Sequence, residues 1–400
     1  MMSKKLAIQG GKPVRETYLP YGSQSVDDED VKKVVQVLKS DFLTTGPEIY
    51  KFEQKISDYV GANYCVAFAN GTAALHAACF AAGVKKNDEV ITSPMAFLAS
   101  ANCALYLDAM PVFADIDPNT YTISPSSIQS LITDKTKAII PVDFTGQPAA
   151  YDDILAIAKA HGIPVIEDAS HALGARYKSR DVGALSDMTM FSFHPVNHVT
   201  TGEGGVITTN RKDYYEKLVR FRNHGIAGCE SGVFVGTSHG PWYYEMQSLG
   251  FNYRMTDLQA ALGHSQLNKL DQFIAKRKKY AAMYTKAFQD VHEVITPMLK
   301  TGCDSSWHLY ILRLKMERLS GTRKQVFEAL QKENIGVNVH YIPVYWHPYY
   351  QQLGYEKGLC PTAEEVYEEI ITLPLFPGMT KADVKDVIKA VKKVISHYAR

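Results

Sequence analysis

The stretch FSFHPVNHVTTGEGG, residues 191–205, crowds polar and conformationally permissive residues into one short segment. Ser192 offers a hydroxyl to a phosphate, and the glycines allow a ligand to approach the backbone closely. The same residues also read as a strand, a turn at Pro195 and a return strand, GVITTN. Four further stretches carry residue types suited to holding a flat, phosphorylated cofactor. NGTAALHAA sets Gly71 and Thr72 where a strand gives way to a helix. Free N–H groups and the helix dipole at such a point attract a phosphate, although Thr there also serves simply as a cap. PVIEDASHALG ends a strand on Asp168. A carboxylate in that position can pair with a protonated ring nitrogen or cap the next turn. His171 three residues later can lie beside a ring or sit satisfied in the core. SPMAFLASAN places Phe97 just past a strand, where its face could stack on a ring or fill the core. FTGQPA offers Gln147 either to ring substituents or to a turn.

The elements that must position these residues alternate from about residue 26 onward. SVDDEDVKKVVQVLKSD predicts a helix opened by Ser25 and an acidic first turn, and PEIYKFEQKISDYVG a second helix. Short branched runs follow (YCVAFA, DEVITSP, PVFADID, KAIIPVDF, PVIEDAS), separated by the helical patterns TAALHAACFAAG, FLASANCALYLD, SSIQSLI and DDILAIAKAHG. Short apolar runs bounded by turns and separated by helices predict an α/β fold with a mostly parallel sheet and helices on both faces. Such sheets bind ligands at the carboxyl ends of their strands, which is where Gly71, Thr72, Phe97, Gln147 and Asp168 fall. MTDLQAALGHSQLNKLDQFIAKRKKYAAMYTKAF reads as a long helix or a helix pair leading away from this domain. Beyond it, strand-like HLYILRL and IGVNVHY mix with the helices TRKQVFEALQKEN and KADVKDVIKAVKKVISHYA, which suits a smaller α+β domain. The expected division is an N-terminal arm over 1–25, a large domain over 26–265 and a small C-terminal domain over 266–400, without a sharp linker.

Composition narrows the class. The 400 residues hold 43 basic and 42 acidic side chains, with no long block of one sign, so nothing favours a nucleic acid or a membrane surface as partner. No apolar run reaches the length of a membrane span, and MMSKKLAIQGGKPVRE lacks a signal-peptide core. The six cysteines, Cys65, Cys79, Cys103, Cys229, Cys303 and Cys360, form no CxxC pair. They read as reduced thiols of a cytoplasmic protein without a zinc site.

Taken together and in this order, the motifs resemble the DegT/DnrJ/StrS family of pyridoxal-phosphate-dependent nucleotide-sugar aminotransferases, which has the aspartate aminotransferase (type I) fold. The resemblance runs from LTTGPEIYKFEQKISDYVGA through FNYRMTDLQAALGHSQL to VHYIPVYWHPYYQQLGY. Within the family the chain looks most like the C4 aminotransferases of the pseudaminic acid pathway, on the cues VDFTGQPA, EDASHALGARY and FSFHPV.H.TTGEGG. The resemblance implies pyridoxal 5′-phosphate and pyridoxamine 5′-phosphate as cofactor forms, glutamate as amino donor, and a UDP-linked 4-keto-6-deoxy-N-acetylhexosamine as acceptor. It implies that Asp168 pairs with the pyridinium nitrogen and that Phe97 packs on the ring. It implies that Gly71, Thr72 and Ser192 bind the phosphate, and that Gln147 lies near the ring hydroxyl. Asn252 would reach the phosphate in a neighbouring subunit, which implies a homodimer with shared active sites. His171, Tyr341 and Arg254 are implied on the substrate side, although Arg254 serves equally well in an interface ion pair.

One residue departs from the family pattern. The motif resembles FSFHPVKHITTGEGG, with a lysine that forms the Schiff base, and this chain has Asn197 there. His198 is no substitute, because adjacent residues of an extended segment point opposite ways. A lysine would hold the cofactor covalently and shuttle a proton; an amide has no basic nitrogen and does neither. Three readings follow: an aminotransferase impaired at this step, a pyridoxamine-phosphate-dependent keto-sugar 3-dehydratase, or a non-catalytic protein that keeps the pocket.

Overall fold

The computed structural model describes residues 5–227 and 235–400. Its centre is a sheet built from β1 (Tyr64–Phe68), β2 (Glu89–Thr92), β3 (Met110–Phe113), β4 (Thr136–Ile140), β5 (Ile166–Asp168), β8 (Met188–Ser192) and β9 (Gly205–Thr209). Ladder hydrogen bonds give the orders β1-β9-β8-β5 and β3-β2-β4. Parallel bridges Ile139 to Val165 and Val142 to Asp168 join the two into one surface. Only β9 runs antiparallel to its neighbours, so the expected mostly parallel sheet is present. Side chains alternate across it as a two-sided buried sheet requires. Ala67, Phe191 and Val206 enter one apolar cluster, whereas Val66, Met190 and Ile207 enter another on the opposite face.

Helices α1 (Asp28–Leu38), α2 (Pro47–Val60), α3 (Gly71–Ala81), α4 (Ala99–Leu105), α5 (Pro125–Leu131), α6 (Tyr151–His161) and α7 (Lys212–Phe221) belong to this part of the chain. The cap of α1 is Asp27 rather than the expected Ser25. Its carboxylate accepts from the N–H groups of Glu29 and Asp30, and Asp30 returns a bond to the Asp27 N–H. A carboxylate two residues nearer the helix reaches the free N–H groups that Ser25 cannot. The short hairpin β6 (Arg176–Tyr177) and β7 (Arg180–Asp181) pairs with β13 (Cys303–Asp304), and β10 (Ile226–Ala227) pairs with β11 (Glu245–Met246).

The long helical pattern resolves as a pair, α8 (Asp257–Leu267) and α9 (Leu270–Phe288). Leu270 and Ile274 of α9 pack into the core beside the sheet, while Tyr280, Tyr284 and Phe288 enter a separate core. That second core is formed by α10 (Arg323–Lys332), α13 (Lys381–Tyr398) and the antiparallel sheet β12 (Val294–Ile295), β14 (Tyr310–Leu314) and β15 (Ile370–Leu373), and it also holds Leu6 and Leu19 of the N-terminal arm. Between β14 and β15 lie the short α11 (Pro348–Gln352) and α12 (Pro361–Glu369). The strand expected over IGVNVHY is absent: Ile335 and Asn338 make only single bridges, to Leu19 and Thr372. The segment is extended but lies across two elements without running along either. The cysteines other than Cys229 are free thiols, and Cys229 lies outside the described residues.

One buried pair behind the sheet has a measurable consequence. Asp143 Oδ1 accepts from the Ala149 N–H and the Tyr151 hydroxyl. Asp143 Oδ2 and Glu167 Oε1 are buried without a hydrogen-bond partner, and each carboxyl group bears on the titration of the other. Two neighbouring carboxyl groups out of water disfavour a pair of anions. Burial raises both, Asp143 well above the usual carboxylate range, with the Glu167 charge adding to the effect on Asp143. The folded state therefore holds a proton that the unfolded chain releases near about pH 4. Folding stability contributed by this pair is complete below that pH and is lost as pH rises through the raised values. Asp143→Asn replaces the titrating carboxyl with a neutral amide that donates an N–H. Denaturant melts should then show the variant gaining on wild type steadily from acidic to alkaline pH.

Candidate active site

Gly71, Thr72, Phe97, Asp168 and Ser192 lie at the carboxyl ends of β1, β2, β5 and β8. Strand β1 leads through Asn70 into α3, and the Asn70 side chain caps that helix by accepting from the Ala73 N–H at 2.8 Å. The cap is thus Asn70, which leaves Thr72 free of that task. Gly71 lies against β8: a Cβ there would stand 3.3 Å from Met190 Sδ and 3.3 Å from Ser192 Cβ. Gly205, in the neighbouring strand, is tighter still. A Cβ on it would sit 2.7 Å from Asn70 and Gly71 backbone atoms, a separation that only glycine permits. The last glycine of the GEGG run is therefore explained by the close seating of β9 beneath the start of α3. Gly205→Ala should push that helix start away and weaken binding of inorganic phosphate or pyridoxamine phosphate by about tenfold or more, measured by calorimetry.

Asp168 ends β5 and is buried. Its Oδ2 accepts from Ser100 Oγ at 2.5 Å, and its Oδ1 from Ser170 Oγ at 2.6 Å and the Ser170 N–H at 3.1 Å. Burial raises its pKa, and these donors oppose the rise. Among the described residues no lysine, arginine or histidine is ion-paired with it. A buried carboxylate with hydroxyl donors and no cation suits a ligand that brings a positive N–H.

His171, Tyr341 and Phe97 gather beside it. The Tyr341 hydroxyl and His171 Nε2 are 3.3 Å apart, and His171 stacks on His308 with centroids 4.2 Å apart. His171 Nδ1 is buried and has no partner. Burial, with His340 nearby, lowers the His171 pKa to about 3, so the ring is neutral at ordinary pH. Phe97 is 61% exposed, with its ring centroid 6.3 Å from that of Tyr341. A large exposed aromatic at a strand end leaves a face open to a planar ligand.

Asn197 sits in a turn just beyond β8. Its Nδ2 donates to the Ser192 carbonyl at 2.8 Å, and its N–H to the His194 carbonyl at 2.9 Å. The segment is a turn and not the extended run expected, yet Asn197 and His198 still diverge. His198 is buried with Nε2 3.0 Å from the Ser306 carbonyl.

Three expected residues lie elsewhere. Gln147 is tied to a distant segment: its Nε2 donates to the Met298 carbonyl at 3.3 Å and its Oε1 accepts from the Lys300 N–H at 2.7 Å. Both ends of the amide hydrogen-bond to a segment 151 to 153 residues on, which leaves one N–H and one lone pair open. Asn252 is exposed and bridges to Asn223. Its neighbours Phe251 and Tyr253 line an open cavity of about 520 Å³ together with Asn70 and Thr72. Arg254 donates through Nη1 to Asn223 Oδ1 at 2.5 Å, its Nε is buried without a partner, and among the described residues no carboxylate pairs with it. Ser100 and Ser170 were not foreseen. Ser170 had a local signal, the Asp-x-Ser spacing, whereas Ser100 arrives from a helix 68 positions away.

A mostly parallel sheet with a helix start, a buried carboxylate and an open aromatic face at its strand ends defines an enzyme of the aminotransferase fold. The chain belongs to the DegT/DnrJ/EryC1/StrS aminotransferase family, whose model matches residues 24–392. It is 41% identical over 383 residues to the spore coat polysaccharide biosynthesis protein SpsC of Bacillus subtilis, covering 95% of this chain and 98% of SpsC. It superposes with a TM-score of 0.88 at 31% identity on Helicobacter pylori PseC, an aminotransferase of pseudaminic acid biosynthesis, covering 96% of this chain and 100% of PseC. A Streptococcus pneumoniae protein described as a sugar aminotransferase, solved in its pyridoxamine-phosphate form, superposes with a TM-score of 0.88 at 29% identity, over 95% of this chain and 99% of that one. The cofactor of this family is pyridoxal 5′-phosphate with its pyridoxamine form, and the residues around Asp168 fit it. Among the described residues no helix is long and apolar enough to cross a membrane, and no cluster suits a metal ion.

Proposed function

We propose that the chain binds pyridoxal or pyridoxamine 5′-phosphate without a covalent link, together with a UDP-linked 4-keto-6-deoxy sugar. In this reading it is a nucleotide-sugar C4 aminotransferase, with glutamate as donor, impaired at the proton-transfer step by Asn197. The observation that carries the reading is Asp168, a buried carboxylate at a strand end held by hydroxyls and lacking any cationic partner among the described residues. When bound, the cofactor supplies an electron sink for the carbon that bears the amino group. Asp168 holds the proton of the ring nitrogen. The N–H groups of Gly71 and Thr72 and the Ser192 hydroxyl hold the phosphate, and Phe97 covers one ring face. His171 Nδ1, buried and unpartnered, takes the ring-substituent role expected of Gln147. Tyr341 orients His171 through Nε2.

Asn197 braces its turn through the Ser192 carbonyl and has no basic atom with which to move a proton. Exposed Asn252, with Arg254 two residues on, faces outward, which favours a homodimer in which each subunit completes its partner's site. The test supplies pyridoxamine phosphate, glutamate and a UDP-4-keto-6-deoxy-N-acetylhexosamine to the chain and to Asn197→Lys. Amino transfer gained only in the variant supports the reading. Dehydration of the sugar by the unmodified chain would replace it with the 3-dehydratase, and binding with no conversion in either form would leave a binding protein.

A further inference from the structure

Asp168 is itself held in one orientation by two serines that come from different elements. Ser100 is buried in the first turn of α4, and Ser170 follows Asp168 by two residues. An ionised carboxylate has about four lone-pair sites. Ser170 occupies both sites on Oδ1, through its hydroxyl and its N–H, and Ser100 occupies one on Oδ2. A single site on Oδ2 is left for a further donor.

We propose that Ser100 and Ser170 are positioning residues that keep Asp168 anionic in its dry pocket and direct one free Oδ2 lone pair at the ring N–H of the bound cofactor. The inference rests on the cofactor reading above and assigns the serines a task beyond it. Other titratable groups near Asp168 do not supply its charge balance. The Cys103 thiol of α4 is held neutral by the adjacent Cys79 thiol and by burial, the Tyr341 phenol by burial, and His171 is neutral above about pH 3. Glu167 points to the opposite face of β5, into Thr189 and Ser186. Hydroxyl donation is what remains to offset the burial of the carboxylate.

The experiment follows the affinity of pyridoxamine 5′-phosphate by tryptophan and tyrosine fluorescence from about pH 5 to 9, for the wild-type chain, Ser100→Ala and Ser170→Ala. Alanine suits a helix, and Ser170 lies outside α4, so the two variants test the idea independently. Binding needs the anion, so affinity falls as pH drops through the Asp168 value. Removing a donor moves that fall to higher pH, with about a tenfold loss on the acidic side and little change at alkaline pH. Titration of the ligand's own phosphate is common to all three proteins, so only the difference between them reads Asp168. A midpoint that stays in place, or a uniform loss at every pH, overturns the inference while leaving the cofactor reading intact. A wild-type chain that binds no pyridoxamine phosphate overturns both.

Discussion

Replacing Asn197 with lysine should raise amino transfer from glutamate to a UDP-4-keto sugar by about 100-fold or more over the unmodified chain. The substitution gives up one hydrogen bond, from Nδ2 to the Ser192 carbonyl, in a half-buried turn. It places an amine beside Ser192 and Gly71, at the mouth of the phosphate-holding helix. The surroundings favour a neutral, nucleophilic amine there. Arg277 is fully buried with no carboxylate partner among the described residues, and its Nη2 lies 3.5 Å from the carbonyl of Val196, one residue before position 197. Its Nη1 donates to the carbonyls of His308 and Leu375 while its Nε is buried without a partner, and burial lowers its own pKa to about 9. A second cation close to an uncompensated one is disfavoured, which lowers the pKa of a lysine at 197. The rate of glutamate-dependent sugar amination, measured in both proteins under the same cofactor saturation, checks the expectation. Equal rates would show that the missing amine is not what limits this chain.

Asp168→Asn should separate cofactor affinity from stability, moving the two in opposite directions. The amide fills the same space, and its oxygen can still accept from Ser170 while Ser100 Oγ rotates to accept from its N–H₂. It cannot offer a negative charge to a ring N–H. Loss of a charge-assisted hydrogen bond should cost about 10- to 100-fold in affinity for pyridoxamine phosphate. Without cofactor the sign reverses. Burial raises the Asp168 pKa, so keeping the group ionised costs folding stability once the pH exceeds the unfolded carboxylate value. The neutral amide removes that cost, and the apo variant should melt higher than apo wild type at neutral pH. Stability given up at a functional site in this way is a common pattern. Paired calorimetric titrations and thermal melts of the two proteins provide the check; affinity and melting temperature falling together would indicate an ordinary packing residue.

How far the site was legible depended on how local its determinants are. The strand ending on Asp168 and the Gly71–Thr72 helix start could be located because each rests on a change from strand to helix within about ten residues. The contacts of Gln147 were not readable, because its partners, Met298 and Lys300, come from a distant segment that leaves no trace near residue 147. The rings that surround His171 have the same origin: His308 and Tyr341 reach it from beyond α9 in the chain. The two-sided sheet was readable from its short apolar runs. The Ile335–Tyr341 segment was not, since its alternating pattern serves isolated contacts to the N-terminal arm and to β15 rather than a ladder. Ser100 could be placed only once α4 and β5 were adjacent.

The most direct measurement is the intact mass of the protein after saturation with pyridoxal 5′-phosphate and reduction with borohydride, alongside the dissociation constant from the same titration. Saturable binding that depends on Asp168, with the chain mass unchanged, is the predicted result. Absence of binding, or a stoichiometric mass gain fixed on a lysine, would contradict a cofactor held at the sheet edge by carboxylate and phosphate contacts alone.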